Sequence, residues 1–60
     1  MKRTEMYKVL KSLGFALVRF GRHEVWGNGT RHIALPHGKE INRMVARRLL
    51  KELNVEVSQI

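Results

Sequence analysis

The chain has 60 residues, with twelve Lys or Arg against five acidic residues, a formal net charge of +7 and no cysteine. A chain this short buries only about 60% of the surface that its unfolded form exposes, so its core is marginal. The missing cysteines exclude disulfides and thiolate metal sites, and no apolar run approaches the ~20 residues of a membrane span. We expect one soluble, cytoplasmic domain over residues 1–60 with no membrane partner.

The excess of positive charge predicts an anionic partner, and nucleic acid is the leading candidate. Two alternatives remain open: the charge only keeps a small domain soluble, or it suits an acidic protein. An anionic membrane surface is less favoured, because the arginines are spread over several elements rather than along one amphipathic helix.

The first predicted element is a helix over residues 1–13. Thr4 is the expected N-cap, and Gly14 is expected to end the helix because glycine adopts the left-handed conformation at little cost. Its apolar residues recur at i, i+3, i+4 and i+7, which predicts one buried stripe. The stripe consists of Met6, Val9, Leu10 and Leu13.

Three antiparallel strands follow the first helix. Gly21 and Arg22 form a tight turn or bulge between the first two strands. The pair Asn28-Gly29 predicts a type I′ hairpin turn, in which both central residues have positive φ. Pro36 cannot donate to the sheet and ends the third strand. The predicted strands cover residues 15–20, 23–26 and 30–35.

A second helix is predicted over residues 40–53. Its apolar side carries six residues, and its opposite side carries the cations Arg43, Arg47 and Lys51, one turn apart. The tail over residues 54–60 is predicted to be flexible or to become ordered on a partner. This order of elements predicts an α+β fold with both helices on one sheet face. The apolar residues are Ile41, Val45, Ala46, Leu49, Leu50 and Leu53.

His23 is the leading candidate for catalysis, because an imidazole both accepts and donates a proton near neutral pH. Cleavage of RNA by its own 2′-OH needs a base, an acid and cations that balance charge on the phosphoryl oxygens. Arg22, Lys39 or Arg47 are candidates for those cations. The structural alternative is a strand-end histidine that faces solvent or pairs with Glu24, and spacing alone favours this alternative.

His37 can lie on the same surface as His23, as a second proton carrier or a phosphate contact. An exposed loop residue is the simpler interpretation. His32 is assigned no role. The histidines and glutamates show no metal-ligand spacing, so we expect neither a metal nor another cofactor.

The row Arg43, Arg47 and Lys51 suits contacts with successive backbone phosphates. Such a row is more commonly a solvated helix face, but acidic residues are scarce on this helix, which favours RNA contact. Tyr7 and Trp26 are interpreted as packing residues rather than as platforms for bases.

Several short motifs, spread roughly from residue 4 to residue 53, resemble the HicA (YcfA-like) family of toxins from type II toxin–antitoxin modules. The family's signature turn is Gly-Ser-His, and Arg22 stands here in place of the serine. The segment from Arg19 to Gly21 and the connector between His37 and Gly38 each look one residue shorter than usual. The Pro-Gly pair usual near Arg43 and Met44 is missing. The motifs are Leu13-Gly14-Phe15, Arg19, Gly21-Arg22-His23, Leu35-Pro36-His37, Gly38-Lys39, Arg47 and Leu50-Lys51.

The resemblance implies a fold like the double-stranded-RNA-binding domain and a metal-independent endoribonuclease that cleaves mRNA. It implies that His23 is the catalytic residue. It also implies neutralisation by a HicB-like antitoxin, with the chain a monomer alone and part of a hetero-oligomer with the antitoxin. The alternatives are a non-catalytic RNA-binding module of the same fold, in which Arg22 marks the loss of catalysis, and a protein whose basic face docks an acidic protein.

Overall fold

The computed structural model describes residues 1–55. Its three strands form one antiparallel sheet, and residues of both helices share one hydrophobic core with one face of that sheet. This α+β arrangement is consistent with the double-stranded-RNA-binding-domain class and confirms the predicted fold class. The elements in chain order are α1 (Arg3–Ser12), β1 (Ala16–Phe20), β2 (Glu24–Gly27), β3 (His32–Leu35) and α2 (Arg43–Glu52).

The register between β2 and β3 decides which side chains reach the core. Glu24 pairs with Leu35, and Trp26 pairs with Ile33. Cross-strand partners share a sheet face, so these four side chains point toward the helices. All four are buried. The buried hydrophobic residues are Met6, Leu10, Phe15, Trp26, Ile33, Leu35, Ile41, Ala46, Leu49 and Leu50.

Strand β1 lies at the edge of the sheet and is exposed along its whole length. Its register with β2 shifts between Leu17 and Arg19, which leaves Val18 as the additional residue of a β-bulge. Beyond the bulge, Phe20 pairs with Glu24. Phe20 therefore projects on the helix side of the sheet, at its rim.

Helix α1 lies within the predicted residues 1–13, but its N-cap differs from the predicted one. Its N-cap is Lys2, not Thr4, because an isolated antiparallel bridge to Glu40 holds Lys2 in an extended conformation. The side chain of Glu5 accepts the Lys2 backbone N–H at 3.1 Å, and this bond satisfies the start of the helix. At the other end, Gly14 has a φ of +85°, which confirms the predicted helix stop.

Helix α2 begins at Arg43, three residues later than predicted. Residues 40–42 are extended instead, and the N–H of Ile41 donates to the Met1 carbonyl at 2.8 Å. Asn42 caps the helix, since its side chain accepts the Met44 N–H at 2.8 Å. The pairing with the start of the chain thus replaces the first turn of the predicted helix.

The prediction of a type I′ turn after β2 is wrong. Gly29 has a φ of +98°, but Asn28 stays outside the left-handed region. The side-chain oxygen of Asn28 instead accepts the backbone N–H groups of Thr30 and Arg31, at 3.0 and 2.7 Å. Asparagine is common in such turns because its side chain can close them in this way.

The predicted tail begins with two residues that close α2. The N–H groups of Asn54 and Val55 donate to the carbonyls of Lys51 and Leu50, at 3.1 and 2.9 Å. Val55 is partly buried against the core. The rest of the predicted tail, residues 56–60, lies outside the described residues.

Candidate active site

The structure brings His23 and His37 together at one end of the sheet. His23 lies in the turn between β1 and β2, and His37 follows the end of β3. Because Glu24 pairs with Leu35, those two places are neighbours. The two imidazole centroids are 6.5 Å apart, and the ring planes differ by 18°. Both side chains are exposed, so the pair is open to a large substrate.

A hydrogen bond fixes the orientation of His37. Its Nε2 lies 2.8 Å from the carbonyl oxygen of Gly21. A carbonyl only accepts, so Nε2 carries the hydrogen and Nδ1 is left to exchange a proton. The turn is also closed by the Gly21 N–H, which donates to the His23 carbonyl at 3.3 Å. The connector and the turn are therefore joined through Gly21.

The carboxylate of Glu24 does not pair with His23. It points into the core, where the Tyr7 hydroxyl lies 2.7 and 2.8 Å from its two oxygens. The indole N–H of Trp26 donates to it at 3.1 Å, and Nη2 of Arg3 forms an ion pair with it at 2.9 Å. Glu24 therefore has a structural role, whereas the adjacent His23 is exposed.

The pKa values in this network reflect burial and its hydrogen bonds. Burial by itself raises the pKa of Glu24, but bonds from Tyr7, Arg3 and Trp26, with the Arg3 charge, outweigh it and lower the pKa. Burial also raises the pKa of Tyr7, as does the hydrogen bond to Glu24. For Arg3, burial lowers the pKa, but its bonds to Glu24 and Tyr7 raise it overall. The network therefore holds a charged carboxylate and guanidinium.

Arg3 also holds the segment that carries His37. Its Nη1 donates to the carbonyls of Pro36 at 2.5 Å and Gly38 at 2.9 Å, on either side of that histidine. Its backbone N–H donates to the Lys39 carbonyl at 2.9 Å. One arginine of α1 thus connects the buried carboxylate to the backbone around His37. No local sequence signal predicts this role, because Arg3 lies 33 residues before Pro36.

The candidate cations are distributed along the molecule rather than gathered. Arg22 directly precedes His23, and Lys39 lies two residues after His37; both are exposed. Arg43 begins α2, whereas Lys51 lies near its end, where Nη1 of Arg31 donates to the Glu52 carbonyl. That end adjoins the turn between β2 and β3, at the opposite end of the sheet. A ten-residue helix is about 15 Å long, so Lys51 is remote from the histidines.

The two aromatic residues considered as base platforms pack in the core region. The rings of Tyr7 and Trp26 are 5.0 Å apart, and Trp26 is buried. An aromatic residue that the sequence analysis did not single out, Phe20, lies beside the histidines instead. Its ring is 5.5 Å from that of His37, in an edge-on arrangement. The sequence signal that could have identified it is its place as the last residue of a predicted strand, next to the turn that holds His23.

The fold and this site define a small, basic α+β domain with a pair of exposed histidines. Within residues 1–55 no three His, Asp or Glu side chains are grouped so that they could hold a metal ion. None of the helices in the described part is long and apolar enough to cross a membrane.

The family model described as HicA toxin of bacterial toxin–antitoxin matches residues 3–55. The chain belongs to the HicA toxin family, a family of toxins from bacterial toxin–antitoxin modules. No curated protein and no solved structure matches it.

Proposed function

We propose that this HicA-family toxin is a metal-independent endoribonuclease that cleaves mRNA, with His23 as general acid or base and His37 as the second proton carrier. The observation that carries the proposal is the approach of the two imidazoles to 6.5 Å on an exposed surface. A strand break by the RNA's own 2′-OH needs two groups that handle protons in this way.

The chemistry assigns one proton transfer to each ring. A neutral imidazole takes the proton of the 2′-OH, and that oxygen attacks the adjacent phosphorus. The bond from phosphorus to the 5′-oxygen breaks, leaving a 2′,3′-cyclic phosphate, and a protonated imidazole gives its proton to the leaving oxygen. Because Nε2 of His37 is bound to Gly21, Nδ1 is the atom of that ring that exchanges a proton.

Cations in the turn that holds His23 and in the connector that holds His37 stabilise the negative charge of the transition state. Arg22 beside His23 and Lys39 after His37 are placed to balance charge on the phosphoryl oxygens. Arg43 and Arg47 extend a basic surface along α2 for neighbouring phosphates. Lys51, at the far end of the helix, contacts phosphates more distant from the cleaved bond.

A HicB-like antitoxin would neutralise the toxin by covering the exposed histidine pair. Both rings lie on the surface, so a protein seated on the turn between β1 and β2 blocks access to RNA. On this proposal the chain acts as a monomer in the cytoplasm and forms a hetero-oligomer with the antitoxin.

The test is incubation of the purified chain with a long mRNA in EDTA, beside His23→Ala. We expect cleavage by wild type and none by His23→Ala, with RNA affinity retained. His32→Ala is the matched control, because His32 is also exposed but lies on the other sheet face, next to Gly27. Equal cleavage by wild type and His23→Ala would contradict the role of His23.

The second candidate function is a non-catalytic RNA-binding module. The observation in its favour is Arg22, a cation where the family has serine in its signature turn. In that case wild type leaves RNA intact, and its RNA affinity falls with Arg47→Ala but hardly with His23→Ala. If RNA binds no more tightly than any other polyanion, the basic face suits an acidic protein instead.

A further inference from the structure

Phe20 forms one continuous surface with the two histidines. Its side chain is 69% exposed, although it pairs across the sheet with the buried Glu24. Its ring plane lies at 65° to that of His37, with 5.5 Å between the centroids, and the His37 ring stacks on His23. A phenyl ring and two imidazoles therefore share the end of the sheet.

Burial does not explain this phenyl ring, because an apolar side chain stabilises the fold in proportion to the area it removes from water. Single exposed apolar residues are common, so its surroundings decide the interpretation. Arg19 and Arg22 flank it in the chain, and Nε of Arg19 lies 3.9 Å from where a Cβ would stand on Gly21. Arg19 pairs with Val25 and so lies on the other sheet face, whereas Arg22 follows Phe20 by two residues in the exposed turn. An exposed aromatic ring with a cation close to it in the chain suits a base and its backbone phosphate.

We propose that Phe20 is a stacking platform for a nucleobase of the bound RNA, beside the histidine pair, and that this site therefore takes unpaired RNA. A base within a duplex is covered on both faces by its neighbours and must leave the helix before it can stack on Phe20. Stacking tolerates every base, so it selects single strands without reading their sequence. The location beside the cleaved bond rests on the proposed function, but stacking is measured without cleavage.

The first experiment measures binding of a short 2′-O-methyl oligouridine, which lacks the attacking hydroxyl. We expect Phe20→Leu to weaken binding about fivefold to a hundredfold, which corresponds to the loss of one stacked base. Phe20→Trp retains the affinity because it keeps a flat aromatic face. Leu17→Ala is the matched control, because Leu17 is an exposed apolar residue of the same strand that precedes the bulge. Unchanged affinity in Phe20→Leu would overturn the proposal.

A second arm separates stacking from a structural role of the ring. The same oligomer without its bases should bind wild type about as weakly as it binds Phe20→Leu, because the partner of the ring has been removed. An equal penalty from Phe20→Leu on the oligomers with and without bases would show that the ring only supports His37, and would overturn the proposal. Affinity for a duplex RNA should not change with Phe20→Leu.

Two further outcomes are distinct from these. If Phe20→Leu weakens binding of a co-purified antitoxin while RNA affinity stays constant, Phe20 is a protein contact and the stacking proposal is wrong. If wild type leaves an unmodified oligouridine intact but the stacking differences hold, the proposed nuclease activity fails while the base platform stands.

Discussion

The hydrogen bond from His37 to Gly21 determines how this imidazole can take part in chemistry. With Nε2 bound to the carbonyl at 2.8 Å, proton exchange takes place at Nδ1. His23 lies in the same turn, but among residues 1–55 its ring makes no comparable hydrogen bond. The two histidines therefore differ within this part of the chain, because only the ring of His37 is oriented by a backbone carbonyl.

Substitution His37→Gln tests the second proton carrier. A glutamine amide can still donate to the Gly21 carbonyl, but it cannot accept and return a proton. We expect the cleavage rate to fall by about a hundredfold to ten-thousandfold, the range for one general acid or base. The wild-type rate should pass through a maximum as pH is varied, and one limb of that profile should be lost in His37→Gln. An unchanged rate and profile would mean that His37 only supports the turn.

Glycine matters at the end of α1 but not in the histidine turn. Gly14 has a φ of +85°, a region that costs an L-residue about 1–2 kcal/mol. Gly21 has no positive φ, and a Cβ there would meet nothing closer than the Arg19 Nε at 3.9 Å. We expect Gly14→Ala to lower the free energy of unfolding by about 1–2 kcal/mol, and Gly21→Ala to change it by less than ~0.5 kcal/mol. Urea denaturation of both variants measures this, and an equal loss in both would contradict it.

The network of Arg3, Tyr7, Glu24 and Trp26 joins α1, β2 and the connector before α2. The hydrogen bonds and the Arg3 charge lower the pKa of Glu24 despite its burial. A carboxylate whose folded-state pKa is lowered stabilises the fold above its unfolded-state pKa, and this contribution is lost as pH falls through the folded-state pKa. The elements at the histidine end are therefore expected to loosen in acid.

Substitution Glu24→Gln should remove that acid dependence. We expect the wild-type Tm to fall as pH drops below the ordinary glutamate range, and the variant to lose this part of the decline. At neutral pH the variant should be less stable by about 1–3 kcal/mol, because Arg3 loses its charged partner. Glu5→Gln, on the exposed side of α1, is the control. Parallel Tm curves for wild type and Glu24→Gln would show that Glu24 does not govern the transition.

Local sequence signals predicted the elements but not their junctions. The strand run ending at Phe20 and the helix stop at Gly14 depend on side-chain type and backbone conformation, and both were found where predicted. The predicted N-cap of α1 and the predicted start of α2 were wrong, because both depend on the bridge between Lys2 and Glu40, two residues far apart in the sequence. The predicted turn type at Asn28 was wrong, because hydrogen bonds to the Asn28 side chain replaced the backbone conformation that Asn-Gly pairs favour.

The sequence predicted individual residues of the candidate site but not how they are arranged in space. A turn containing His23 and a connector containing His37 are visible in the sequence, but their approach depends on the register of β2 against β3. The burial of Glu24 follows from the same register, which places it opposite Leu35. The position of Phe20 on the helix side of the sheet depends on the bulge at Val18, because the additional residue reverses the face of the strand residues that follow it.

At the scale of the whole fold, the described residues measure 28 × 23 × 16 Å, so they form one sheet layer and one helix layer. Exposed cations lie at both ends of this body, with Arg22 and Lys39 near the histidines in the chain and Arg31 beside the end of α2. On the proposed function, the entire surface attracts RNA over long range, whereas the contacts near the cleaved bond belong to one end.

Salt dependence of RNA binding distinguishes the two ends of α2. For single strands the slope of log affinity against log salt changes by about 0.7 for each phosphate contact. We expect Arg43→Ala to reduce the slope for a short oligouridine by about that amount. Lys51→Ala should leave it nearly unchanged, because a short strand at the histidines does not reach the far end. Equal slopes for the two variants would show that RNA follows the whole helix.

The attachment of Arg3 to both sides of His37 has a consequence for genetics. On the proposed function an active toxin stops growth, so colonies that survive its expression report which positions activity requires. A selection of this kind should recover changes at Arg3 and Tyr7 as well as at the histidines, although both residues contact the buried carboxylate of Glu24. Survivors with changes at Arg3 would then show that activity requires its bonds to the backbone around His37. A second-site change that restores these bonds should restore growth inhibition.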